Sequence, residues 1–149
     1  MTPDSPENSA EVGIDVQRLI RLGLERALVI RQPHIGHILY GMKSWEMRSK
    51  PTKIRGRIGL IEAGSGLIVG ECEIDRIQSA PKSYRARFMT RAYHRIPADR
   101  YSVMDKWCWA WVMSNVLRYD DPVAYEHPQG AVIWVSLPNA KANGGDCIY

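Results

Sequence analysis

The chain has 149 residues, of which 45% are hydrophobic and 24% charged, with a net charge of +4; that balance suits one folded domain and excludes a disordered chain. Its longest apolar runs, such as "GLIVG" and "AVIWV", fall far short of the roughly 20 residues that span a bilayer, so no membrane partner is expected. The three cysteines, Cys72, Cys108 and Cys147, have no C-x-x-C spacing, which argues against a disulfide framework or a thiolate zinc site and, with no basic-then-apolar leader after Met1, predicts a cytoplasmic protein.

In chain order, residues 1–9 read as a polar tail, and Ala10 to Leu22 carry apolar residues near helical spacing, a short amphipathic helix that could recruit a protein partner. "ALVIR" reads as a buried strand. In "PHIGHILYG", Pro33 suits the first position of a helix and Gly41 its left-handed exit. On that helix the wheel puts Ile35, Ile38, Leu39 and Met42 on one face and His34, His37 and Tyr40 on the other. "SWEMRS" then alternates, setting Trp45 and Met47 against Glu46 and Arg48. "RIGLIEA", the turn "GSG" and "LIVGECEIDRI" predict a hairpin of two strands. "PKSYRARFMTRAYHRI" has helical period, with Phe88, Met89, Ala92, Tyr93 and Ile96 on one side and Arg87, Arg91, His94 and Arg95 on the other. "DKWCWAWVMSNVLRY" and "AVIWVSL" supply the remaining strands, and the last residues fray. Successive strands without regular helix alternation predict an α+β fold, a small mixed or antiparallel barrel with flanking helices.

The basic residues are patterned: Lys43 to Arg57 and Lys82 to Arg100 hold twelve of the twenty, opposed only by Glu46 and Asp99. Two such windows suit a polyanion.

"LVIRQPHIGHILYGMKSWEMRS", with its strand, Q-P, helix and G-x-K-x-x-E-x-R order, followed by "KIRGRIGLIEA", "GLIVGECEI" and "YEHPQGAVIWV", resembles the ASCH domain, the activating signal cointegrator homology family of the PUA-like superfamily. The resemblance implies a PUA-like barrel over residues 24–138, with residues 1–23 a tail and short helix and 139–149 a flexible tail. It also implies a cleft beside the first helix and a role in binding nucleic acid, RNA above all. One branch of the family hydrolyses the amide of acetylated cytidine with a lysine, a threonine and a glutamate, and ribonuclease activity is proposed for others. Lys43 matches that lysine. The threonine position holds Glu46, and the helix after the hairpin offers no glutamate before Asp99.

Arg48 is expected to grip a phosphate or base edge through its planar fork, with Glu46 orienting it and Lys43 a mobile charge. Gln32, Pro33 and His34 at the helix start, Lys53 and Arg55 in the following loop, and Tyr84, Arg87 and Arg91 on the later helix complete the expected nucleic-acid-binding set, Tyr84 stacking a base and the arginines forming a phosphate rail. Lys43 and Glu46 are the catalytic pair if the protein is instead a small hydrolase of a modified nucleoside or an RNA phosphodiester. Glu71 and Glu73 leave their strand on one side, where they could pair with Lys43, and His127 with Gln129 could approach the ligand. His34 and His37 lack a third ligand at motif spacing; no metal or cofactor is expected.

Overall fold

The computed structural model describes residues 15–140, the side chains of 139 and 140 excepted; the expected tails, Cys147 and the first part of the Ala10–Leu22 helix lie outside the described residues. The elements are α1 (Val16–Arg21), β1 (Arg26–Ile30), α2 (His34–Leu39), β2 (Trp45–Arg48), β3 (Gly56–Glu62), β4 (Leu67–Ser79), α3 (Tyr84–Met89), α4 (Arg91–His94), a 3-10 segment (Ala98–Asp105), β5 (Trp109–Ala124), β6 (Trp134–Ser136) and a last 3-10 turn (Leu137–Ala140). The strands form a six-stranded sheet in the order β2-β5-β4-β3-β1-β6. It is mixed, since β1 runs parallel to β3 and antiparallel to β6. This is the α+β fold with a mixed sheet that the sequence predicts, and no helix among the described residues is long and apolar enough to cross a membrane.

The described residues divide into two compact units, one formed by residues 15–31, 58–70 and 119–140 and the other by residues 32–57 and 71–118. In the first, Asp15 caps α1 by accepting the Arg18 N–H at 3.0 Å, and the helix buries Val16 and Leu19 among Ala27, Ile61, Ile68, Val123 and Val135. Val16 and Leu19, which the sequence offers to a protein partner, are thus spent in the core, whereas Leu22 is 68% exposed. Gly59 stands beside Ala27 in the β1–β3 register, where an added Cβ would come within 3.0 Å of the Ala27 Cβ; glycine lets the two strands close.

In the second unit β2 pairs antiparallel with β5, Trp45 opposite Val112 and Arg48 opposite Trp109. Trp45 and Met47 pack with Ile96, Tyr101, Met104 and Ala110. Ile35 and Ile38 bury the inner face of α2, but Met42 is exposed, because the helix ends at Leu39 and Gly41, at φ +75°, turns the chain away from the wheel.

The later helix departs from its wheel altogether. Thr90 Oγ1 donates to the Ala86 carbonyl at 2.8 Å, a back-bond that competes with the helix, and Thr90 both ends α3 and precedes α4. The expected apolar side therefore turns outward at Phe88, Met89 and Tyr93, while Arg87 and His94 are buried. Their polar groups are satisfied internally. Arg87 donates to the carbonyls of Pro81 at 2.8 Å and Tyr101 at 3.0 Å and bridges Asp105 at 2.8 Å. His94 Nε2–H donates to the Arg87 carbonyl at 2.7 Å, and its Nδ1 accepts the Ile96 N–H at 2.9 Å. Arg87 is thus a clamp inside the fold, and the expected phosphate rail loses it.

Replacing Arg87 with Met strands the buried Tyr101 carbonyl and the part-buried Pro81 carbonyl and is expected to cost roughly 1–3 kcal/mol, whereas Asp105→Asn, at the exposed end of the bridge, should cost less than about 1 kcal/mol; urea unfolding midpoints measure both. Burial holds the His94 pKa below its ordinary 6.5, so below 6.5 the unfolded chain binds the proton that the folded ring refuses. The stability present above 6.5 is then lost as pH falls through the folded value. Unfolding midpoints taken between about pH 7 and about pH 5 should fall with acid, and less steeply in His94→Gln.

Candidate functional site

The charged groups at the exit of α2 come together in one cluster. The His37 carbonyl accepts the N–H groups of both Met42 and Lys43, at 2.8 and 3.1 Å, which folds the chain back so that Lys43 lies beside the start of its own helix. Lys43 Nζ reaches His34 Nδ1 at 3.0 Å and Glu46 Oε1 at 3.4 Å. The other carboxylate oxygen, Oε2, accepts from Arg48 Nε and pairs with its terminal nitrogen, both at 3.0 Å. Alternation along β2 puts Glu46 and Arg48 on one face, and β5 places Trp111 under the guanidinium, 5.4 Å from the ring centroid. Trp111 is itself fixed by donating its indole N–H to the Lys50 carbonyl at 2.9 Å.

Burial decides the electrostatics. Lys43 and Glu46 are only 3% and 6% exposed, while the Arg48 side chain is 19% exposed and His34 half-buried. Desolvation pushes the Lys43 ammonium below its ordinary 10.5 against the opposing pull of Glu46. His34 is likewise pushed below 6.5, first by burial and then by the Lys43 charge. With the ammonium donating to Nδ1, the proton of the neutral ring sits on Nε2 and leaves that nitrogen a donor. Lys43 is therefore a held group rather than the mobile surface charge expected, and its charged end and that of Glu46 do not reach a ligand at the surface in this conformation.

The other expected residues divide. Gln32 Oε1 accepts the Gly36 N–H at 3.3 Å, so the side chain occupies one of the N–H groups at the start of α2. Pro33 precedes the helix and is exposed. Lys53 and Arg55 lie exposed in the loop before β3, and Arg55 donates to the Thr52 and Ile54 carbonyls. Tyr84 and Arg91 are exposed, Arg91 lying over the Phe88 ring at 4.0 Å.

Glu71 and Glu73 do not pair with Lys43. Their partner is Arg57, which bonds Glu71, approaches Glu73 at 3.7 Å and donates to the Asn115 carbonyl at 2.9 Å; pairing of the hairpin strands brings that arginine to them. His127 is likewise engaged, with Nδ1 accepting from the Tyr125 hydroxyl at 2.6 Å and Nε2–H donating to the Ala131 carbonyl at 2.7 Å. The sequence reading missed the bond between His34 and Lys43, which needs the tight return after Gly41, and a groove of about 600 Å³ lined by Ile20, Gly23, Glu25, Arg26, Trp134, Ser136 and Pro138. Among the described residues no group of three or more His, Cys, Asp or Glu side chains is placed to hold a metal ion.

Known proteins supply a comparison for this arrangement. Crystal structures of an ASCH protein from Zymomonas mobilis and of two mutant forms of it superpose on the chain with TM-scores of 0.52, 0.52 and 0.51 at 13% identity. The superpositions cover 67% of this chain and 73–75% of theirs, a likeness of fold alone. No curated protein matches. The family profile of the ASCH domain matches residues 28–123, a span that holds the whole His34–Lys43–Glu46–Arg48 cluster and most of the sheet, and the chain belongs to the ASCH domain family.

Proposed function

We propose that this ASCH domain binds RNA at the surface where Arg48 and His34 emerge from the buried cluster. The ASCH domain is a PUA-like fold often linked to RNA binding. The observation that carries the reading is the fixed Arg48 fork. Glu46, itself held by Lys43, orients the guanidinium from one side and Trp111 supports it from below, so little side-chain entropy is lost when it takes a phosphate or a base edge. His34 Nε2–H adds a second donor. Lys53 and Arg55 in the exposed loop extend positive charge along a backbone, and Lys43 with Glu46 positions the contact without making it.

Fluorescence anisotropy with short RNA oligomers tests this. Affinity should fall as salt rises, with a logarithmic slope of about −0.7 for each phosphate neutralised on a single strand. Arg48→Gln, which leaves Glu46 paired with Lys43, should weaken binding at least about tenfold without moving the thermal midpoint much. Arg48→Lys should not restore it, because a point charge cannot reproduce the planar fork. Binding that ignores both salt and Arg48 would end the proposal.

A second reading rests on Lys43. A buried lysine whose pKa is pushed down, in contact with a histidine and a carboxylate, has the chemistry of a base or nucleophile toward an acylated nucleoside or an RNA linkage, provided the cluster opens to admit one. Turnover in a panel of such substrates, abolished by Lys43→Met in a protein that still folds, is the expected signature. A panel that yields no product removes this reading and leaves the binding site intact.

A further inference from the structure

Three aromatic rings and a methionine are exposed on the short stretch around the break at Thr90: Tyr84, Phe88, Met89 and Tyr93 are 64%, 42%, 65% and 49% exposed. Each ring is braced. Tyr93 stacks on Trp45 at 5.1 Å and 24°, and its carbonyl accepts the Ser44 N–H; Tyr84 leans on Tyr101 at 5.2 Å; Arg91 lies over Phe88 and donates to its carbonyl. These contacts limit the motion of rings that nevertheless stay exposed, so less motion is lost when a base stacks on them.

Charge indicates what these rings face. Lys82, Arg85, Arg91, Arg95 and Arg100 are all exposed in the same window, opposed by Asp99 alone. An apolar protein partner gains nothing from such a ring of cations, whereas unpaired nucleotides present stackable bases on an anionic backbone, which this surface complements on both counts. Duplex hides its bases, and the A-form helix offers side chains mainly shape and backbone.

We propose that the α3–α4 face is a stacking platform for the unpaired bases of single-stranded RNA, separate from the Arg48 fork. The proposal rests on the RNA-binding reading and gives its ligand a strandedness. Tyr84 and Phe88 stand one helical turn apart on α3 and take bases on their outer faces, while the neighbouring cations follow the phosphates.

The full chain is titrated with a labelled single-stranded 12-mer, the same sequence as duplex, and a 12-mer carrying abasic sites. The single strand should bind best. Tyr84→Leu and Phe88→Leu keep an apolar side chain but remove the ring; each should weaken the single strand about five- to a hundredfold and leave the duplex unchanged. Because both residues are exposed, thermal midpoints should stay in place. The abasic strand should be weakened similarly on the parent protein, an arm that needs no variant. Parent-like affinity in both leucine variants and for the abasic strand, with Arg48→Gln still defective, overturns the platform and spares the RNA reading. No RNA binding by the parent removes both. A dimer in sedimentation that Phe88→Leu dissociates, with RNA affinity unchanged, overturns the platform in favour of a second copy of this chain.

Discussion

A single carboxylate shared between two cations governs this half of the chain. Glu46 takes Lys43 on one oxygen and Arg48 on the other, almost out of reach of water. Desolvating a lysine is expensive, and it is tolerated here because the Coulombic return is close at hand. The same arrangement shapes its neighbours: burial first, and then the adjacent Lys43 ammonium, push the His34 pKa below its ordinary value, and Glu46 holds the guanidinium over Trp111. Removing Glu46 would leave two cations facing each other in a poorly hydrated space. Whatever the site does, it does with these charges already in position.

Part of this could be read from the residues. Alternation in "SWEMRS" was enough to put Glu46 and Arg48 on one face, and a lysine three positions before a glutamate was within reach of it; the strands flanking the "GSG" turn follow from their pattern as well. Burial could not be read. A sequence holding six basic residues against one acid over fifteen positions looks like a solvated surface, and only the return of the chain after Gly41, with the His37 carbonyl taking two N–H groups, brings Lys43 under His34. The partner of Glu71 and Glu73 was illegible for a related reason, since Arg57 meets them through pairing between strands and no local period encodes that.

The α3–α4 segment shows how small a local event defeats a wheel. A hydroxyl at Thr90 bonded back to Ala86 divides the patterned run from Tyr84 to His94 into two pieces, and the phase is lost between them. Polar residues then go inside, because Arg87 and His94 can answer each other and the nearby carbonyls, and rings go outside. The inversion gives the second unit two chemically different surfaces: a preset guanidinium beside β2, suited to an anion or a base edge, and an aromatic field among cations on the helices. If RNA is the ligand, as proposed, the first would select by geometry and the second by the presence of any exposed base.

The Arg87 clamp fastens the loop at Pro81, the carbonyl of Tyr101 and the end of the 3-10 segment at Asp105. With anchorage concentrated in one inward side chain, foldability asks little of the residues on the outer surface of those helices. Substitutions there are free to accumulate under selection for recognition alone, so among descendants of this sequence ligand preference can diverge faster than architecture.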